Sequence, residues 1–150
     1  MASFYPFTDP QKVRPEDVKE MPIAEEYDYD MSSARFRRDG SGHVYKVYGN
    51  PAIKIKLWKL FMSERYRWVV FPWSYGHELE TLIGKAYTQG YINSEAERYT
   101  REAIERALGD YIEGLSDIKI DFDDGLLTIS FVAKTIYGTL EVPGMPIGRW

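Results

Sequence analysis

The residues best equipped for chemistry gather at one corner, Ser63-Glu64-Arg65-Tyr66-Arg67, where a carboxylate stands next to two guanidinium groups, with His77-Glu78 a short way on. A glutamate among aromatics can serve as the general acid of a glycosidase, but that reaction needs a second carboxylate roughly 5–9.5 Å away across a cleft. The sequence points to no such partner. Flanking arginines also lower a carboxyl pKa, the wrong direction for an acid at neutral pH. Glu64 is therefore read as an acceptor for backbone N–H groups or for arginine, pinning one element to the next, with Arg65 and Arg67 competing for the role. His77-Glu78 beside Tyr75 has the make-up of an acid–base pair but no nucleophile nearby in sequence, and a glutamate in a first helical turn is expected from the dipole alone. Asp121, Asp123 and Asp124 offer oxygen ligands, yet lack the loop length and bidentate glutamate of a calcium motif. Strand alternation and a turn account for them. There is no cysteine, and only two histidines are present. Phosphate-cradling loops, nucleophile elbows and zinc-ligand spacings are missing. This reading assigns no catalytic residue, no metal and no cofactor.

The elements around the corner follow from pattern. Gly49-Asn50-Pro51 predicts a sharp stop and a helix over 52–62, with Asn50 as N-cap and Pro51 in the first turn. Ile53, Leu57, Leu60 and Phe61 share one face of it, and Ile55, Trp58 and Met62 another. One stripe suffices for a core; the second predicts a face for a neighbour, unless the domain buries both. Trp68-Val69-Val70-Phe71 reads as a strand buried on both sides. An aromatic turn, a short helix over 77–86 and a loop at 89–92 come next. Ser94 and Glu97 form a capping box that opens a helix over 95–112. Ala96, Tyr99, Ala103, Ala107, Leu108 and Tyr111 face inward on it, and Glu97–Arg101 and Glu102–Arg106 pair outward.

Upstream, residues 1–33 carry Pro6, Pro10, Pro15 and Pro22 and end in an acidic run with tyrosines. They are expected to form an extended arm, with Tyr27 and Tyr29 as anchors where it orders along a partner. A hairpin over 34–48 turns at Asp39-Gly40-Ser41-Gly42. Downstream, Ile118, Ile120 and Phe122 alternate with polar residues, Asp124-Gly125 signals a hairpin turn, and Leu127, Ile129, Phe131 and Ala133 alternate on the return strand. A last short strand is placed within 135–142, before a loose tail. The expected organisation is an arm at 1–33 and an α+β domain at 34–150. That domain has a small, mainly antiparallel sheet, about three helices and a C-terminal β-hairpin.

Composition narrows the function. At 150 residues with 44% hydrophobic and 28% charged, the chain is expected to be one globular domain with its own core. A net charge of −4 argues against a general nucleic-acid binder. The first ten residues lack a secretory n- and h-region, and no run approaches the ~20 apolar residues of a membrane helix. The chain is thus expected to be made and kept in the cytosol, or to leave it by lysis. Aromatics reach 15%, with twelve tyrosines and four tryptophans, a composition that favours contact surfaces.

A helix followed by Ser63-Glu64-Arg65, then the apolar run to Pro72, then Tyr75-Gly76-His77-Glu78-Leu79 and Leu82-Ile83-Gly84, resembles the sheath-initiator proteins of contractile-tail baseplates. The likeness runs over roughly 36–142 and is greatest to those of PBSX-like prophages and tailocins. The phage wedge protein once labelled a lysozyme and the type VI secretion counterpart are more distant. The resemblance implies a non-enzymatic assembly protein in a virion or tailocin particle, assembled in the host cytoplasm. Six copies around the tube would bind the baseplate wedge proteins and template the first ring of the tail sheath protein by strand addition. It assigns the template to 117–122 and 126–137, and hence to Ile118, Ile120, Phe122, Leu127, Ile129 and Phe131. It assigns partner contacts to Glu64, Arg65 and Arg67, beside the free face of Ile55, Trp58 and Met62. The arm is expected to reach tube or wedge. In the type VI relatives a proline separates glutamate from arginine, so this chain departs from that pattern. The rival expectations are a peptidoglycan hydrolase of the tail, as the old label has it, and a cytosolic adaptor unrelated to phage.

Overall fold

The computed structural model describes residues 20–123 and 126–147. In chain order they form β1 (Glu25–Tyr27), β2 (Tyr29–Asp30), β3 (Arg35–Phe36), β4 (Lys46–Tyr48), α1 (Asn50–Phe61), a 3-10 turn (Leu79–Leu82), α2 (Gln89–Leu108), β5 (Ile112–Asp123), β6 (Leu126–Thr135) and β7 (Gly138–Ile147). The class is α+β, as expected, with two α-helices and one 3-10 turn among the described residues in place of about three helices.

The C-terminal strands make an antiparallel meander with β6 in the middle and β5 and β7 at the edges. Alternation decides its faces: Leu127, Ile129, Phe131, Ala133 and Thr135 are buried, while the residues between them are partly or fully exposed. α1 lies against this sheet through Ile53, Leu57, Leu60 and Phe61, all fully buried. The Phe61 and Phe131 rings meet edge-on at 6.1 Å between centroids. Each such side chain contributes about 1.5–3 kcal/mol by removal from water. α2 adds Ala96, Ala103, Ile104 and Leu108 to the same core, and its outer face carries the expected Glu97–Arg101 and Glu102–Arg106 pairs.

Several expectations are corrected. Asn50 is not the N-cap; Gly49, at φ +67°, takes that place. The Asn50 side chain instead meets the Thr135 hydroxyl, tying the start of α1 to the end of β6. α2 begins at Gln89, not 95, because Thr88 accepts from the Tyr91 N–H and caps it. Ser94 turns its hydroxyl back to the Tyr91 carbonyl within the helix. The helix expected over 77–86 shrinks to the 3-10 turn, and the last strand extends through Pro143-Gly144 to Ile147. The largest difference is Trp68–Phe71. It is no strand and is not buried: Val69 is 98% exposed. A run of four apolar residues has no period to reveal its setting, and this one finds no ladder partner among the described residues.

The turn at 39–42 forms as read, with Asp39 N–H donating to the His43 carbonyl at 2.9 Å. The longer pairings, however, cross the 33/34 junction: β1 with β4, and β2 with β3. Ala24 is buried. The first nineteen residues of the expected arm, and the Asp124-Gly125 turn, lie outside the described residues.

Candidate functional site

The charged corner is the base of a closed loop. α1 ends at Phe61, and the Ser63 hydroxyl donates to the Lys59 carbonyl at 2.8 Å, finishing the helix. The chain leaves through Ser63–Glu64–Arg65 and returns through Gly76-His77. Arg65 N–H donates to the His77 carbonyl at 2.9 Å and His77 N–H to the Ser63 carbonyl at 3.1 Å. Residues between these strands travel out and back, with Tyr66 in the left-handed region at φ +68°.

Side chains lock this base from inside. Arg65 is buried and donates to Glu78 at 2.7 Å, to Glu102 of α2 at 3.3 Å and to the Gly76 carbonyl at 3.2 Å. Glu64 pairs with Arg67, so the competition left open by the sequence is settled: Arg67 takes Glu64, and Arg65 bolts the loop to α2. His77 is buried with both ring nitrogens used, Nε2 at 2.9 Å from the Phe61 carbonyl and Nδ1 accepting the Leu79 N–H at 3.2 Å. That pattern requires the neutral ring with its proton on Nε2. Burial pushes the His77 pKa down to about 4, further than the Phe61 carbonyl and Glu64 lift it.

The sequence pointed to no second carboxylate near Glu64; the fold brings Glu80 there, in side-chain hydrogen bond with it. Burial alone would raise the Glu64 pKa, but Glu80 and Arg67 together hold it below the ordinary carboxylate range. A carboxyl in hydrogen-bond contact with Glu64 does not stand across a cleft from it, as both glycosidase geometries require. Among the described residues there is no group of three or more His, Asp or Glu gathered as a metal site.

The other expected contact residues divide. Ile55 is buried, Trp58 is half-buried with Tyr29 stacked on it at 4.8 Å, and Met62 is half-buried, so the chain itself covers much of the second stripe. Leu127, Ile129 and Phe131 are core residues of central β6. Ile118 and Ile120 are half-buried on edge strand β5, where Phe122 is exposed. Sequence reasoning named Gly76 only within a motif and Glu102 only as the outward partner of Arg106, and it missed Glu80 and the exposed loop tip, since their contacts arise from long-range closure. The one signal for them was a glycine directly before a histidine that has no catalytic companion.

Comparison with known proteins bears on these surfaces. The profile of a family described as contractile injection system sheath initiator matches residues 25–138. The chain is also 29% identical over 97 residues to the "Phage-like element PBSX protein XkdS" of Bacillus subtilis (strain 168), covering 64% of this chain and 67% of that protein.

Proposed function

Because the chain belongs to the sheath-initiator family of contractile injection systems, we propose that it is a structural subunit of a contractile-tail baseplate. It binds the wedge on the outer side of the Glu64–Arg67 joint and templates the first sheath ring by strand addition, in six copies around the tube. The observation that carries the templating role is the open edge of β5. This strand runs over Ile112–Asp123 without a proline, and after register shifts at 112/114 and 116/119 it pairs residue for residue with β6 over Lys119–Asp123. The opposite edge, β7, contains Pro143 and Pro146 and so lacks two donors. Strand addition works through main-chain hydrogen bonds at an exposed edge, which favours β5 as the acceptor. Ile118, Ile120 and Phe122 would then meet the added strand, while Leu127, Ile129 and Phe131 hold the template in place from the core. For the wedge, Arg67 and the uncovered flanks of Trp58 and Met62 supply the contact.

Successive N–H groups of a strand point to opposite edges. Of Lys119→Pro and Ile120→Pro, one therefore removes a donor from the free edge and the other breaks the ladder with β6. The free-edge variant is identified as the one that keeps a cooperative thermal transition. It is expected to give tubes and wedges without sheath by electron microscopy, and normally sheathed particles from it would sink the templating role.

A further inference from the structure

The loop between Arg65 and Gly76 is built to hold apolar side chains in water. Val69 is 98%, Val70 81% and Trp73 71% exposed. Exposed apolar groups of this size on a slack loop would fold back onto the surface. Here rings prop it from within: Tyr66 against Trp73 at 5.9 Å, Phe71 against Tyr75 at 4.8 Å, and the Arg67 guanidinium over Trp68 at 5.3 Å. Clustered apolar surface of this kind marks a contact site. Compact loops closed at their ends commonly carry function.

Behind the tip, Phe71, Pro72 and Tyr75 line a cleft of about 330 Å³ with Leu108, Lys56 and Lys59. Both ammonium groups lean on one oxygen of Glu26, Lys59 at 2.5 Å and Lys56 at 3.5 Å. Among the described residues these two cations share one carboxylate, which leaves positive charge in excess beside an apolar wall.

We propose that the loop tip and this cleft together dock an acidic amphipathic segment of another baseplate protein. Its apolar side covers Val69, Val70 and Trp73, and a carboxylate enters toward Lys56 and Lys59. This rests on the reading of the chain as a baseplate subunit, and it adds the surface and the chemistry of its complement. A second copy of the chain fits less well. A twofold pairing of identical patches would set the lysines of one copy near those of the other.

The test is incorporation of the full-length chain into baseplates assembled in cells from the complete set of tail proteins. Val69→Asp/Val70→Asp changes side chains that lie almost wholly in water, so its thermal midpoint is expected to match the unaltered protein. Its content in purified baseplates is expected to fall at least about tenfold, as for the loss of interface anchors. Lys56→Glu is expected to lower it as well. Should the double variant unfold, Val69→Asp alone serves the same purpose. Full incorporation of a folded variant overturns the proposal. Absence of the unaltered chain from baseplates overturns instead the reading on which it rests. A dimer of the purified chain in sedimentation, abolished by the double variant, overturns it in favour of a second copy.

Discussion

Gly76→Ala is expected to lower the thermal midpoint by about 10 °C, corresponding to about 3 kcal/mol for a chain of this size. Two separate effects converge there. Gly76 sits at φ +105°, a conformation that strains any side chain. A Cβ built on it would also lie 2.5 Å from the Ser63 carbonyl oxygen and 3.0 Å from the Arg65 nitrogen. Both are backbone atoms, held in place by the pairing of Ser63 and Arg65 with His77, so neither can swing aside as a side chain would. Relief requires separating the two strands of the loop base. That loosens Arg65 from the Gly76 carbonyl and His77 from Phe61. Gly84→Ala separates the two effects, since Gly84 has φ +76° but no atom within 4 Å of the place its methyl would take. Its cost is expected to be about 1 kcal/mol, from the backbone alone. Equal melting shifts for the two variants would show that close approach at Gly76 contributes nothing.

What was legible in the sequence is what depends on local period. The outward ion pairs of α2 and the alternation of β6 repeat within a few residues, and the structure returns them. The inward stripe of α2 returns Ala96, Ala103 and Leu108 as buried, but Tyr99 and Ala107 are only partly so, and Thr100 and Ile104 are buried beside them. Their ends were less legible, because Thr88 and Ser94 compete as caps with similar chemistry and only the path of the preceding chain decides between them. The site was harder still. Arg65 and Arg67 are equivalent by distance along the chain from Glu64; what separates them is Glu102, thirty-seven residues beyond Arg65. The apolar run at 68–71 has the composition of a buried strand. It is exposed because the closure at Ser63 and Gly76 leaves the intervening segment no strand to pair with. His77, which has the make-up of half an acid–base pair but no nucleophile beside it in sequence, is a pin between the end of α1 and the 3-10 turn.

That pin makes stability depend on pH in a window of its own. In the unfolded chain a histidine titrates near 6.5, whereas in the fold burial pushes His77 down to about 4. Between these values the unfolded chain binds the extra proton, so stability falls as pH falls, by about 3 kcal/mol across the window. The contribution is complete above about pH 6.5 and is lost by about pH 4. The structural reason is that Nδ1 accepts the Leu79 N–H; a protonated ring has a donor there and must give up that bond. Nearby charges oppose one another, since Glu64 favours the charged ring and Arg65 disfavours it, which leaves burial to decide. Glu26 and Glu64, both held below the ordinary carboxylate range, add losses of their own only at the acid end of this window and beyond it. Comparison with His77→Gln isolates the ring. The variant is expected to be less stable than the unaltered protein at pH 7, because glutamine has no acceptor at the Nδ1 position that meets the Leu79 N–H and does not fill the buried place of the ring. Denaturant unfolding at steps from pH 7 to 4 should then show the gap between the two proteins closing by most of about 3 kcal/mol. A gap that stays constant would mean that His77 charges as readily in the fold as outside it, and that the loop base is held by Arg65 and Gly76 without it.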